Sequence, residues 1–442
     1  MQKLQEYIDS HSVSEMHPSD IAQILKQLDD DTFSSALKLV PKDLIGDVAL
    51  ALPDRLFDDV VENLSVDELS HAVTELESDD QHEFMQELHE IDKEVAQEVY
   101  KTLDEEDQQE ISKLQSYEED EAGAYMQLEV FTAFKDEVVQ EVIHRFARLR
   151  KENEIENVQN LFITTVDNKL LYAIGLDDLL IFDFNKTLMQ NIENSDEYFD
   201  PKVAHDREDI KDVVHYFEEY DLSVMPVVSE YGILVGRITS DDIYDIINEH
   251  ATEQMYHLAG VDDEAEEDEE VFKAGRKRAS WLGINLFTAI AASFVIALFA
   301  DTLQNMVALA ILMPIVASMG GNAGTQSLTV VVRQLALGDI SQGDAYRIIK
   351  KEVAISLLNG FFFAIIIGII AAFWFDIKYL GIVIALSMII NLLMAGFFGA
   401  SIPLFLKKID IDPAIGSTVI LTTITDVVGF FSFLGLATWI LL

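Results

Sequence analysis

TTITDVVGFFSFLGLATWILL, residues 422–442, closes an apolar segment that begins near Ala414. The segment is long enough to cross about 30 Å of hydrocarbon as a helix. Asp426 stands near its middle. A carboxylate at bilayer depth costs roughly 2.5–3.5 kcal/mol even on lenient insertion scales, so an acid there is expected to meet an ion, a proton or a partner charge.

Four more apolar segments precede it, at about 280–300, 303–337, 352–375 and 379–406, and the last runs over 414–441. The second is too long for one straight span and is expected to be interrupted by Pro314 and by Gly320, Gly321 and Gly324. Basic clusters flank the spans: Arg276, Lys277 and Arg278 before the first, Arg347, Lys350 and Lys351 before the third, Lys407 and Lys408 after the fourth. With five spans all three clusters fall on one side, so the N-terminal half is expected in the cytoplasm and the C-terminus outside.

Polar residues within the spans follow helical spacing. Asn322, Thr325, Gln326, Thr329 and Arg333 share one face of the second span. Thr422, Thr425, Asp426 and Gly429 are expected to form another such face on the last, with Asn285 and Thr288 paired on the first and Ser387 and Asn391 on the fourth. Two polar faces and an intramembrane acid suggest a water-filled path, whereas Ala395, Gly396, Gly399 and Ala400 suit helix packing.

The chain has 442 residues and a net charge of −48, yet half of it is hydrophobic. That combination fits two unlike halves. The negative excess lies in the N-terminal half, which excludes nucleic-acid binding and favours cations. With no cysteine, disulfides are excluded. The N-terminus has no apolar core of the kind a signal peptide needs.

Residues 1–125 read as an acidic, all-α, superhelical domain, because Leu28, Val40, Leu52, Leu64, Leu76 and Leu88 recur every twelve residues beside Pro or Asp stop signals. Between 126 and 248 the pattern becomes α+β. LFITTV (161–166), a turn at Asp167–Lys169, LLYAI (170–174) and a helix at Leu176–Leu180 are echoed by VMPVVS (224–229), a turn at Glu230–Gly232, ILVGRIT (233–239) and a helix from Ser240. A duplicated β-β-α unit follows, as 126–190 and 191–248. Residues 249–278 read as a connecting helix and an acidic run, DDEAEEDEE (262–270), and 279–442 as a five-helix transmembrane domain.

The lining residues select the ion. No span holds His or Cys, which zinc or copper would recruit. Calcium wants six to eight oxygens and several carboxylates, while Mg²⁺ keeps much of its water and needs one or two. A single Asp per chain therefore fits Mg²⁺ best, with two copies of Asp426 supplied by a symmetric dimer.

YDLSVMPVV, ILVGRITSDDI and the weaker LLYAIGLDDLL resemble a tandem pair of CBS domains, in which a Thr-x-x-Asp such as Thr239 to Asp242 can hold a nucleotide ribose. MPIVASMGGNAGTQS, VVRQLALGDI, IDPAIGS and TTITDVVGFFSFLGLA resemble the MgtE family of magnesium transporters, and the domain order agrees. The resemblance implies a non-enzymatic, homodimeric Mg²⁺ channel for uptake across the plasma (inner) membrane, with ATP as a secondary ligand of the CBS pair. It places Asp426, Asn322, Gly320 and Gly321 in the pore, Asp412 at the cytoplasmic mouth and the connecting helix as a gating plug. Thr422, Thr425 and Gln326 join that lining by their spacing.

Gating by cytoplasmic Mg²⁺ is expected from Asp209, Asp221, Asp242, Asp245 and Glu253, and from Asp58, Asp59, Glu62 and Asp92 in the N-terminal domain. ATEQ (251–254) departs from the family's ATED and puts an amide, Gln254, where a carboxylate is usual. Rival readings are an ion-coupled divalent cation exporter and a non-conducting membrane receptor that senses nucleotide.

Overall fold

The computed structural model of the protein describes residues 2–152, 155, 157–261, 271–336, 340, 342–409 and 411–442. The acidic run 262–270 lies outside the described residues. The chain divides into two compact units, Met1–Ile247 and Asn248–Leu442.

The first unit opens with α1 (Gln2–Ser10), α2 (Pro18–Leu25), α3 (Asp30–Leu37), α4 (Ile45–Leu50, entered through a 3-10 turn at Lys42–Leu44), α5 (Asp54–Asn63), α6 (Val66–Thr74), α7 (Ser78–Ile91), α8 (Lys93–Thr102) and α9 (Glu105–Leu114). From α2 to α7 the helical segments begin at residues 18, 30, 42, 54, 66 and 78, a twelve-residue step. Local chemistry sets each start. Pro18 occupies the first turn of α2, where a missing N–H costs nothing. Asp29 caps α3 by accepting from the Thr32 N–H at 3.0 Å. Pro41 and Pro53 precede the next two segments, and Ser65 forms a capping box with Glu68 ahead of α6.

The buried register of this repeat is Leu25, Leu37, Ala49, Val61, Val73 and Met85, each at most 9% exposed. That is three residues ahead of the Leu28-to-Leu88 register read from sequence. Val40, Leu52 and Leu76 are buried at helix ends, while Leu88 falls inside α7, whose 14 residues break the step.

Two copies of one chain path follow. The first is β1 (Thr132–Phe134), α10 (Val139–Lys151), β2 (Asn160–Thr164), β3 (Leu170–Gly175) and α11 (Leu176–Ile181). After α12 (Leu188–Glu193), the second is β4 (Ala204–His205), α13 (Ile210–Tyr220), β5 (Val224–Val228), β6 (Leu234–Thr239) and α14 (Ser240–Ala259). In each sheet the first strand is parallel to the second, and the second pairs antiparallel with the third. The two hairpins meet through Leu170 N–H to Gly232 O and Leu234 N–H to Asn168 O. Buried Arg237 joins the copies again by donating to Asn157 O at 3.1 Å and Gln159 Oε1 at 3.3 Å. The repeated unit is thus larger than β-β-α. Its opening strands, two or three residues long, are too short to carry a period-2 signal.

In the second unit α15 (Val271–Ala297), α16 (Ala300–Asn305), α17 (Val307–Ala336), α18 (Ala345–Phe375), α19 (Lys378–Lys408) and α20 (Ser417–Leu441) follow the end of α14. Among the described residues, α17, α18, α19, α20 and the Arg278–Ala297 part of α15 are long and apolar enough to cross a membrane. The expected interruption of the second span is misplaced. The chain breaks at Met306, in extended conformation, and α17 then runs unbroken through Pro314 and the glycines. Two of those glycines serve contact instead: a Cβ on Gly320 would strike the Asn391 amide, and one on Gly324 would press on Leu421 at 3.0 Å.

Helix α19 lies at the centre, against α17, α18 and α20. Its Gly399 approaches the α17 backbone so closely that a Cβ would lie 2.6 Å from Gly324 O. Backbone carbonyls cannot rotate away as side chains can. Gly399→Val is therefore expected to lower stability by about 1–3 kcal/mol, read as a depressed thermal transition of the detergent-solubilised protein.

Candidate functional site

The membrane helices converge on Asn391. Fully buried on α19, it donates from Nδ2 to Val316 O of α17 at 2.8 Å. Gly320 of α17 and Gly429 of α20 make room for this amide. Four residues further along α17, Gly324 meets Leu421, which lies eight residues before Gly429. Helices α17 and α20 therefore run antiparallel, and the alignment puts Asn322 and Asp426 at about the same depth.

Asn322, Thr325, Gln326, Thr329 and Arg333 are all exposed, so α17 presents an uncovered polar stripe. Thr422 is exposed beside it in sequence register on α20, and Asp426 is half-buried. Gly321 is half-buried with open space where a Cβ would be.

Two residues expected with this set are packed away. Thr425 is fully buried and donates to Thr422 O at 3.1 Å, and Gly320 is covered by Asn391. The cause is the α20 packing stripe Leu421–Thr425–Gly429, spaced i, i+4, i+8 and buried throughout, which leaves Thr422 and Asp426 one residue round on its flank. Periodicity alone groups all of these on one face. Of the other polar pairs, Ser387 and Asn391 lie wholly inside the helix pack, whereas Asn285 is exposed.

Sequence reasoning misses Glu352. It is buried two turns into α18 and accepts from Ser327 Oγ of α17 at 2.8 Å. Its place beside Lys350 and Lys351 makes it read as a flanking charge.

Asp412 sits in the loop between α19 and α20 and accepts from the Ala414 N–H at 2.8 Å. Its other oxygen lies 3.0 Å from Nδ1 of His257, near the end of α14. Glu253, one turn earlier, places a carboxylate oxygen 4.0 Å from the same nitrogen. Gln254 is half-buried on the same helix.

In the first unit the candidate sensor acids scatter. Asp209 caps α13 by accepting from the Lys211 N–H at 2.9 Å, and Asp92 caps α8 through Glu94 and Val95. Asp221 ends α13 in a left-handed conformation, exposed. Asp58, Asp59 and Glu62 line α5, two of them exposed. Asp245 is exposed, its carboxyl raised by partial burial and then by Asp241.

The Thr239–Asp242 pair is engaged with itself. Thr239 Oγ1 donates to Asp242 Oδ2 at 2.7 Å, its N–H to the same oxygen at 3.2 Å, and Thr239 is 1% exposed.

Asp242 instead belongs to an acidic contact between α7 and the second sheet copy that the sequence does not reveal. Ser78 donates from its N–H and Oγ to Glu129, fixing the start of α7 there. Burial, with Asp242 and Asp80 nearby, raises the Asp79 carboxyl well above the ordinary range, and its Oδ1 has no hydrogen-bond partner. Asp80 is pushed up to about 8, first by burial and then by Glu83 and Asp242. Asp242 is pushed up to about 6 by burial against the lowering pull of Thr239. Glu110 reaches about 7 through burial and Glu129. Such clustered, desolvated acids resist ionising together unless a proton or a cation stands among them.

A helical acidic domain, a duplicated α/β module and a bundle with an intramembrane acid define a multi-pass membrane protein built around cations. The chain belongs to the MgtE family: it is 32% identical to the magnesium transporter MgtE of Thermus thermophilus over 73% of this chain and 71% of that one. It is also 30% identical to the magnesium transporter MgtE of Bacillus subtilis, over 74% and 70%. Residues 313–436 match the MgtE divalent cation transporter family, 16–120 the MgtE intracellular N domain and 197–249 the CBS domain. A crystal structure of the cytosolic domain of the Mg²⁺ channel MgtE in complex with ATP is 27% identical, with a TM-score of 0.48, over 55% of this chain and 98% of that one.

Proposed function

We propose that the protein conducts Mg²⁺ as a homodimer, with a path between copies of the α17 stripe and Asp426. The observation that carries this reading is the uncovered run Asn322–Thr325–Gln326–Thr329–Arg333 on a mostly apolar helix, its Asn322 end at about the depth of a half-buried acid. Lipid tails cannot hydrogen-bond such a stripe, so water or a second copy must cover it. Amide and hydroxyl groups suit a hydrated ion, and Asp426 supplies the charge that favours a cation.

Transport needs no bond-breaking chemistry. A membrane potential of 100 mV supplies about 4.6 kcal/mol per divalent ion. The basic flanks support a cytoplasmic first unit in a plasma-membrane protein, with the C-terminus outside.

The first unit acts as the gate's sensor. Mg²⁺ entering among Asp79, Asp80 and Asp242 offsets their repulsion and holds the N-terminal domain docked. Asp209, Asp221, Asp245 and Glu253 add cation-binding surface towards the connecting helix. ATP at the CBS pair is a secondary reading, since Thr239 must release Asp242 before it meets a ribose.

Mg²⁺ flux in proteoliposomes tests the reading. The full chain is expected to pass Mg²⁺ without a proton or sodium gradient. Deletion of residues 1–125 is expected to preserve flux while weakening inhibition by Mg²⁺ on the cytoplasmic face. Absence of flux would favour a receptor, and dependence on a second gradient an exchanger.

A further inference from the structure

One amide on α19 touches both of the helices that carry the candidate ion path. Asn391 is fully buried and donates from Nδ2 to Val316 O of α17 at 2.8 Å. That carbonyl lies two residues past Pro314, in the helical turn that Gly320 closes. Bare backbone walls the amide on both sides. A Cβ on Gly320 of α17 would strike it, and one on Gly429 of α20 would lie 2.8 Å from Nδ2. Gly320 stands two residues before Asn322, and Gly429 three after Asp426, so the wedge sits within one turn of each. Stability does not explain a polar residue here. Asn391 Oδ1 and, one turn back on the same face, Ser387 Oγ are buried with no hydrogen-bond partner. Unpaired buried polar atoms destabilise a fold, a cost that leucine, similar in shape to asparagine, would not incur. Polar groups kept against that cost are expected where geometry serves function.

We propose, on the transport reading above, that Asn391 is a positioning residue for ion selection. It never meets the ion. Its amide holds α17 and α20 at one separation, and that separation fixes the gap within each copy between the Asn322 end of the polar stripe and Asp426. The gap decides which hydrated cation fits. Mg²⁺ keeps a near-ideal octahedron of oxygens at about 2.0–2.1 Å, whereas Ca²⁺ takes six to eight at about 2.3–2.6 Å in flexible arrangements. A fixed gap favours the rigid shell, and a loose gap lets Ca²⁺ adapt its own. Without the amide, the tie to Val316 O is lost and α17 is free to shift against α20.

The test is the ratio of Mg²⁺ to Ca²⁺ flux in proteoliposomes of the full-length protein. Asn391→Ala and Asn391→Leu are each expected to lower that ratio at least about fivefold while Mg²⁺ still passes, because a binding constellation loses discrimination once its groups stray by more than about 0.5 Å. Gly429→Ala keeps Asn391 but crowds its amide. It should shift the ratio the same way, and it covers the case in which a change at 391 fails to fold. Gly381→Ala is the control for general loosening, since its Cβ would strike Gly368 O between α18 and α19. It should lower thermal stability and leave the ratio as in the parent. A parent that passes no Mg²⁺ overturns the transport reading, and the role of Asn391 with it. A conducting parent whose ratio is unmoved by every folded variant at 391 and 429, or moved equally by Gly381→Ala, overturns only the role of Asn391, which is then helix packing.

Discussion

Asp426→Ala is expected to reduce Mg²⁺ flux in proteoliposomes by at least about 100-fold while leaving a folded protein that elutes from gel filtration as the parent does. The charge of the ion sets the size. Two unit charges 4 Å apart interact by about 4 kcal/mol at an effective dielectric of 20, and a divalent ion doubles that. Even a quarter of that interaction, retained through a shell of water at each of the two copies in the proposed dimer, totals about 4 kcal/mol, worth more than a factor of 100. Folding should survive because Asp426 lies on the flank of α20, while Leu421, Thr425 and Gly429 make the packed stripe. Asp426→Asn separates charge from shape: it should lose nearly as much flux as the alanine variant. By contrast, Thr425→Ala should act mainly on stability, since Thr425 is fully buried. Normal flux through Asp426→Ala would remove this residue from the ion path.

The second large effect concerns docking of the N-terminal domain. In Mg²⁺-free buffer, protection of that domain from protease is expected to fall as pH rises. The docked state raises Asp79 strongly, Asp80 to about 8, Asp242 to about 6 and Glu110 to about 7, so it holds protons that the separated state releases. A state that binds more protons is disfavoured as they are removed. The cost is absent below the ordinary carboxylate range near pH 4, grows above it as the separated state ionises, and levels off as Asp242 near 6, Glu110 near 7 and Asp80 near 8 ionise in turn in the docked state. A carboxyl held one pH unit above its ordinary value costs about 1.4 kcal/mol more to ionise, and several acids act together.

Mg²⁺ should restore protection at high pH by taking the protons' place. The double variant Asp79→Asn, Asp80→Asn should stay protected across the whole range and no longer respond to Mg²⁺. Equal pH and Mg²⁺ dependence in parent and variant would mean that these acids do not govern docking.

These two predictions stand differently towards the sequence. Asp426 can be found from the chain alone, because a single acid inside a long apolar run is conspicuous whatever surrounds it. Asp79 and Asp80 cannot. They sit in ESDDQ, one of many acidic runs in a chain of net charge −48, and only their burial against Asp242 distinguishes them. His257 reads as lying outside the spans, which it does. Its contact with Asp412 closes over 155 residues and leaves no local trace.

Local chemistry thus determined what is local: the membrane segments, from unbroken apolar length; the twelve-residue helical step, from prolines and caps; the two hairpins, from turn residues between β-branched runs. These signals act within about a dozen residues, so they survive without neighbours. Tertiary structure decided which side of each helix is used. It turned Thr425 and Gly320 inward, left Asn322 and Asp426 accessible, buried Glu352 against Ser327, and gathered Asp79, Asp80 and Asp242. Every one of those outcomes depends on which distant surface packs where, a choice set by the shapes of α17, α19 and α20 or of the docked domains, to which helical periodicity is blind.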